Sequence, residues 1–321
     1  MSLTRRQAMA AMAAMPAGAA CLAAQSRGPG AMRPRVTPAV CLYSRVLIEI
    51  GQVDLPMVIG GLGFDGVDLS VEPGGHVPPE KAGNFLMPAL EGLTGRGIDV
   101  PMITTALTSL EDKDAENVLG LASYIRVPFF RPGHWKFTGS PAIEMQLGLV
   151  QRQIAGLAQL ARATNMVMGI HNFVDGAEGA AVDHPEGAAV PDIARVIRPI
   201  DPHLVGYCFD AGYATAQGGS NGFAAALELA LPRLKMVAVR DFQWDREGGA
   251  VPKDAVPRMV PCPLGEGVVD WPKFFAALAK ARFAGPVSLH IDYQPKAKTA
   301  AIRKDLAFLR QQVDAAYSAG K

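Results

Sequence analysis

The chain has 321 residues, a formal net charge of +1, and 49% apolar against 19% charged residues. Those values suit one large α/β barrel or two smaller domains, each with a substantial buried core. No basic run is longer than Arg5-Arg6, so the composition excludes the cationic stripe of a nucleic-acid binder.

Residues 1–26 read MSLTRRQAMAAMAAMPAGAACLAAQS. A twin arginine stands before a mildly apolar Ala/Met stretch that ends in small residues, the layout of a twin-arginine export leader. The stretch is too short and too weakly apolar for a stable membrane span. The expectation is a leader over 1–26, read by the twin-arginine export machinery and sending the protein to the periplasm or cell exterior. The alternative is a chance Arg pair before a frayed helix. Residues 27–37 are rich in Pro, Gly and Arg and read as a linker. Without the leader, three cysteines remain, Cys41, Cys208 and Cys262. An odd number argues against a disulfide framework.

Eight apolar strand candidates follow, at 39–43, 66–71, 98–104, 123–128, 166–171, 204–209, 235–240 and 286–292. Between them lie helical stretches, clearest at 142–164, 220–233, 271–283 and 299–317, with apolar residues spaced by three and four. Strand-helix alternation implies parallel pairing with right-handed crossovers. The fold expected over 38–317 is α/β, a single (β/α)8 TIM barrel. A doubly wound open sheet competes, but no Gly-rich fingerprint follows the first strand. Residues 129–141 and 242–270 read as long insertions after strands four and seven, on the face that carries chemistry in such barrels. Residues 174–190 read as a Gly/Ala-rich loop.

Strand side chains alternate, so the polar residues at the strand ends share the interior face. This gathers Asp68, Glu72, Arg126, His171, Asp210, Arg240, His290 and Asp292 at one mouth. Buried charges are costly unless paired or bound to a metal. Each residue also has a plain structural reading. Arg126 and Arg240 can neutralise Asp68 or Asp210, His290 can be a hydrogen-bonded core histidine, and Asp210 can start a turn.

Several segments resemble the sugar phosphate isomerase/epimerase superfamily, the xylose isomerase-like barrels. FDAGYATAQGG (209–219) is similar to its Asp-x-Gly-His strand end and AVRDFQW (238–244) to its His-x-Lys-Asp end. PLGEGVVDW (263–271) matches a Pro-Leu-Gly-x-Gly-x-x-Asp-Trp loop. SLHIDY (288–293) and GIHNF (169–173) resemble further strand ends. The resemblance implies a divalent metal held by residues of strands five to eight, and proton transfer through an enediol. Carried over by position, Asp210 matches the metal-binding Asp and His171 takes the place of the first Glu. The third place is Ala238, and the fourth falls on His290 or Asp292. Arg240 stands where the family has Lys.

Two readings stay open. In one, His171, Asp210 and His290 or Asp292 bind Zn²⁺ or Mn²⁺, with Glu72 or water completing the set. In the other, Arg126 and Arg240 hold the substrate and His171 or His290 is the base. Catalysis is expected from Glu72, His171, His290 and Asp292. Substrate contacts are expected from Asp68, Arg126, His134, Trp135, Arg240 and Glu266, with Trp135 stacking on a sugar ring. The function implied is isomerisation or epimerisation of a sugar or keto-sugar. The alternatives are a lyase on an oxidised (3-keto) sugar and a non-catalytic sugar-binding barrel.

Overall fold

The structure is a computed structural model that describes residues 37–135, 140–174, 188–245 and 258–318. The expected leader, the linker before Thr37, Lys136 and most of the loop at 174–190 lie outside the described residues.

Ten strands are present among the described residues: β1 (Val40–Tyr43), β2 (Gly66–Val71), β3 (Asp99–Thr105), β4 (Phe129–Arg131), β5 (Val167–His171), β6 (Val205–Asp210), β7 (Leu234–Val239), β8 (Asp241–Trp244), β9 (Met259–Cys262) and β10 (Val287–Leu289). Eight of them close a parallel barrel, running β1-β2-β3-β4-β5-β6-β7-β10 and back to β1. The helices between them are α1 (Leu55–Leu62), α2 (Ala82–Thr94), α3 (Ala115–Tyr124), α4 (Ile143–Ala163), α5 (Val190–Ile197), α6 (Ala211–Gln217), α7 (Ala224–Ala230), α8 (Trp271–Lys280) and α9 (Lys298–Ser318). The expected (β/α)8 barrel is therefore the fold observed.

Alternation explains the layers. On β2, Val67, Leu69 and Val71 are fully buried in the large apolar shell under the helices, while Asp68 and Ser70 are buried among polar partners. Inside the barrel Met102, Cys208, Met236 and Ala238 form a small separate core. Gly169 on β5 makes room for it, because a Cβ there would collide with the Met236 methyl.

The fourth strand differs from expectation. Residues 115–124 are helix, and the strand is Phe129–Arg131. Arg126 ends α3 instead: it is exposed, in the left-handed region at φ 65°, where the Arg126 and Val127 amides donate to the carbonyls of Ser123 and Ala122. Such a residue caps a helix C-terminus. Arg126 thus lies at the N-terminal end of β4, opposite the mouth, and cannot hold a substrate there.

The segment 242–270 folds in part into an antiparallel hairpin, β8 against β9. Asp241 anchors it to the loop that follows. Its carboxylate accepts from the backbone amides of Phe242, Gly265 and Val269 and from Trp271 Nε1 at 2.8 Å. Gly265 needs its left-handed φ of 81°, and a Cβ on Gly267 would overlap the Asp241 carboxylate. The PLGEG loop is thus written around one buried acid.

Candidate active site at the barrel mouth

Arg240, one residue beyond β7, is the hub of the mouth and only 8% exposed. Its Nε donates to Asp210 Oδ2 at 2.7 Å. Nη1 donates to the Tyr213 hydroxyl at 2.8 Å and to Asp292. Nη2 bonds His290 Nδ1 at 2.8 Å. The guanidinium also lies over the Tyr213 ring, 4.3 Å from its centroid. Gly212 permits this approach, since a Cβ there would lie 2.8 Å from Arg240 Cγ. Burial works against the charge, yet Asp292, Tyr213 and Asp210 hold the Arg240 pKa well above the ordinary guanidinium value.

The two histidines at the mouth are in different states of engagement. A guanidinium can only donate, so His290 Nδ1 accepts and the neutral ring carries its proton on Nε2. His171 Nε2 lies 3.3 Å from Asp210 Oδ2. A carboxylate oxygen accepts, so the His171 proton is also on Nε2, and its Nδ1 lone pair is left buried with no partner. The rings lie 6.2 Å apart and 13° from parallel. Burial pushes both imidazoles well below the usual histidine range, with Arg131 and Arg240 adding to it. Both are therefore neutral near pH 7. Asp210 is fixed from its other side by the Tyr213 amide at 2.8 Å, and Asn172 bonds its backbone on both sides. Burial pushes the Asp210 carboxyl up, and Arg240 pulls against that shift.

Tyr43 stacks on His290 with centroids 4.5 Å apart, and its hydroxyl donates to Glu72. Glu72 also accepts from Arg45 at 3.2 Å. Beside Tyr43 is Arg131, at the end of β4 and 6% exposed. Its Nε is buried with no hydrogen-bond partner, and no ion pair is seen for its guanidinium among the described residues. The Tyr43 ring is its neighbour, 5.7 Å from Cζ. Arg131 is the cation that Arg126 was expected to be. Its signal is in the sequence: FFRPG has the same apolar-then-charged end as the other strands.

Other expected contacts sort clearly. Asp68 is fully buried, and its two oxygens accept from Thr104 and Ser288, each at 2.8 Å. It ties β2, β3 and β10 together beneath the mouth, where its complete burial keeps it from the substrate side. The His134 ring sits 5.5 Å from His171 and 4.0 Å from Phe173, at the rim. Trp135 packs on the core, its indole nitrogen donating to the Thr108 carbonyl at 3.1 Å. Glu266 is exposed and pairs with Lys304 on α9, outside the mouth cluster. Tyr43, Arg131 and Tyr213 are site residues that the sequence reading did not assign.

The expected metal set fares differently. Zinc needs ligand lone pairs about 2.0–2.2 Å away. The lone pairs of Asp210 Oδ2, His290 Nδ1 and an Asp292 oxygen are already aimed at one guanidinium. Ala238, at the third family position, lies fully buried in the inner core. Among the described residues no group of three or more His, Cys, Asp or Glu is arranged to hold a metal ion. The residues present do not fit a divalent cation.

A closed parallel barrel with this strand-end cluster defines a class, and the sequence places the chain within it. The chain belongs to the xylose isomerase-like TIM barrel family, whose model matches residues 61–312. Solved structures of the same fold include the 3-keto-D-glucoside 4-epimerase of E. coli, 16% identical with a TM-score of 0.63, covering 85% of this chain and 99% of that one. A xylose isomerase-like barrel protein from Mycobacterium smegmatis, in complex with magnesium, is 14% identical with a TM-score of 0.65, covering 87% and 98%. L-Ribulose 3-epimerase is 14% identical with a TM-score of 0.63, covering 88% and 97%. At such identities the likeness is one of fold. No curated protein matches the sequence.

Proposed function

We propose that the protein is an enzyme that moves a proton on a carbon beside the carbonyl of a sugar or keto-sugar. The observation that carries this reading is the opposed engagement of His171 and His290. The buried Nδ1 lone pair of His171 takes the proton from carbon, while its Nε2–H stays on Asp210, which stabilises the imidazolium formed. His290, locked by Arg240 with its proton on Nε2, donates to the carbonyl oxygen. The C–H electron pair moves into an enediolate whose oxygen is held by the His290 Nε2–H. Delivery of a proton to the opposite face of the same carbon, with the proton on His171 released to solvent, gives epimerisation. Return of the His171 proton to the neighbouring carbon, with the hydroxyl proton passing between the two oxygens, gives isomerisation. Arg131 supplies unpartnered N–H groups to a substrate oxygen. Glu72, held by Tyr43 and Arg45, shapes the β2 side of the mouth.

A lyase acting on a 3-keto sugar shares the first step, and the E. coli relative in fold, named for a 3-keto-glucoside, favours including that substrate. The test is solvent deuterium wash-in, followed by NMR over a panel of aldoses, ketoses and 3-keto-glycosides. Exchange at the carbon beside the carbonyl, reduced about 10²–10⁴-fold in His171→Ala, is expected. Binding without exchange anywhere in the panel would instead establish the sugar-binding barrel. The reading includes export by the leader at 1–26, supported by Arg5-Arg6. Replacing both arginines with lysine should retain the protein in the cytoplasm, and unchanged export would remove that part.

A further inference from the structure

We infer that the Arg240 guanidinium is the resident cation of this site, standing among the acceptors that a divalent ion would otherwise share, and that the protein needs no metal. The geometry is specific. Four N–H bonds of one guanidinium are directed at Asp210 Oδ2, the Tyr213 hydroxyl, Asp292 and His290 Nδ1. Three of those four acceptors are residues expected from the sequence to ligate a metal.

The surroundings are built to receive this side chain. Gly212 leaves out the Cβ that would strike Arg240 Cγ, and the Tyr213 ring lies beneath the guanidinium. The Asp210 and Asp292 carboxylates supply two negative charges against its one positive charge. A divalent ion added to the same acceptors would have to displace the guanidinium or lie against it, and like charges in a buried site repel strongly.

The arrangement also differs from a metal in what it does to a substrate. A guanidinium has five N–H donors, and four are spent on the protein. The fifth, on Nη2, remains for one oxygen. Arg240 itself can therefore polarise a substrate only through one directional hydrogen bond, whereas a metal ion can clamp two substrate oxygens. This inference does not depend on the proton-transfer reading, because it concerns what fills the site and not what the site does.

The test is elemental analysis and thermal melting of the full chain, purified in folded form. The wild type should carry zinc, manganese and magnesium well below one ion per chain, and EDTA should leave its Tm unchanged. Arg240→Ala should unmask the acceptors and take up zinc near one ion per chain, with a Tm that rises with zinc by mass action. Arg240→Met, which keeps more of the packing, should do the same and serves if the alanine variant is insoluble. In either background His171→Ala should weaken zinc uptake.

A wild-type protein with one tightly held metal ion, whose Tm falls in EDTA, would overturn the inference. A folded Arg240 variant that gains no zinc would overturn it too, since Arg240 would then not stand in the metal's place. Neither readout uses activity, so loss of this inference and loss of the enzymatic reading can be told apart.

Discussion

Arg240 Nη2 and His290 Nδ1 lie 2.8 Å apart, and because arginine has no acceptor the contact selects one tautomer of His290. Neutral His290 must carry its proton on Nε2. Burial, with Arg240 next and then Arg131 and His171, also holds its pKa well below the usual range. In ¹⁵N-resolved imidazole spectra at pH 6, both His290 and His171 should appear as neutral Nε2–H rings. An imidazolium pattern for His290 at that pH would contradict the assignment.

Asp68 gives the protein a pH-dependent stability. Burial lifts its carboxyl from 3.8 to about 6, against the pull of Arg131, Ser288 and Thr104. Between those values the folded chain holds a proton that the unfolded chain has released, so stability falls as pH rises through that window. The contribution is fully present below about pH 4 and lost by about pH 6, and is worth about 3 kcal/mol. Asp68→Asn should flatten urea midpoints across this window. Part of the slope should persist, because Asp305 is likewise lifted to about 6 by burial. An unchanged slope would remove Asp68 from the account.

Arg131 is coupled to both affinity and that titration. It is a nearly buried cation whose charge is the strongest force opposing the upward shift of Asp68. Arg131→Met should extend the fall in stability to pH values above 6. If Arg131 holds a substrate oxygen in ground and transition states alike, KM should rise about tenfold with kcat little changed. A variant with wild-type KM and an unmoved pH window would show that Arg131 does neither.

The Asp241 clamp predicts a structural loss away from the chemistry. Asp241→Ala leaves three backbone amides and the Trp271 indole without their acceptor. Buried donors left unpaired cost about 1–3 kcal/mol each, so chemical denaturation should show at least about 3 kcal/mol of destabilisation. Asp241→Asn, which keeps an acceptor oxygen, should cost less. Gly267→Ala should resemble Asp241→Ala, because its methyl would occupy the carboxylate's space. Wild-type stability in Gly267→Ala would mean that the loop can shift away.

Most of the barrel was legible because its strands are apolar runs that end in charge. Asp210, Arg240 and His290 were found at the mouth by alternation alone, and the pairing Asp210↔Ala238 confirms the register between β6 and β7. The fourth strand was not legible, because Tyr124-Ile125-Arg126-Val127 mimics strand alternation while α3 runs into it and Arg126 turns the chain. A strand of three residues, Phe129–Arg131, is too short to show a period. The site's internal logic was hidden for another reason. Sequence gives which residues meet but not which atoms, and the difference between a metal set and an arginine hub lies in where four lone pairs point.

The seam of the barrel runs through the site. Tyr43 on β1 stacks on His290 just past β10, and Ser288 on β10 reaches Asp68, 220 residues earlier in the chain. Bringing such distant segments together carries a loop-closure entropy cost. A chain stopped before β10 therefore lacks the closing strand together with His290 and Asp292, two of the four partners of Arg240. The strand that closes the barrel is also the one that carries in His290 and Asp292, so barrel closure and the hydrogen-bond set of Arg240 rest on the same contacts.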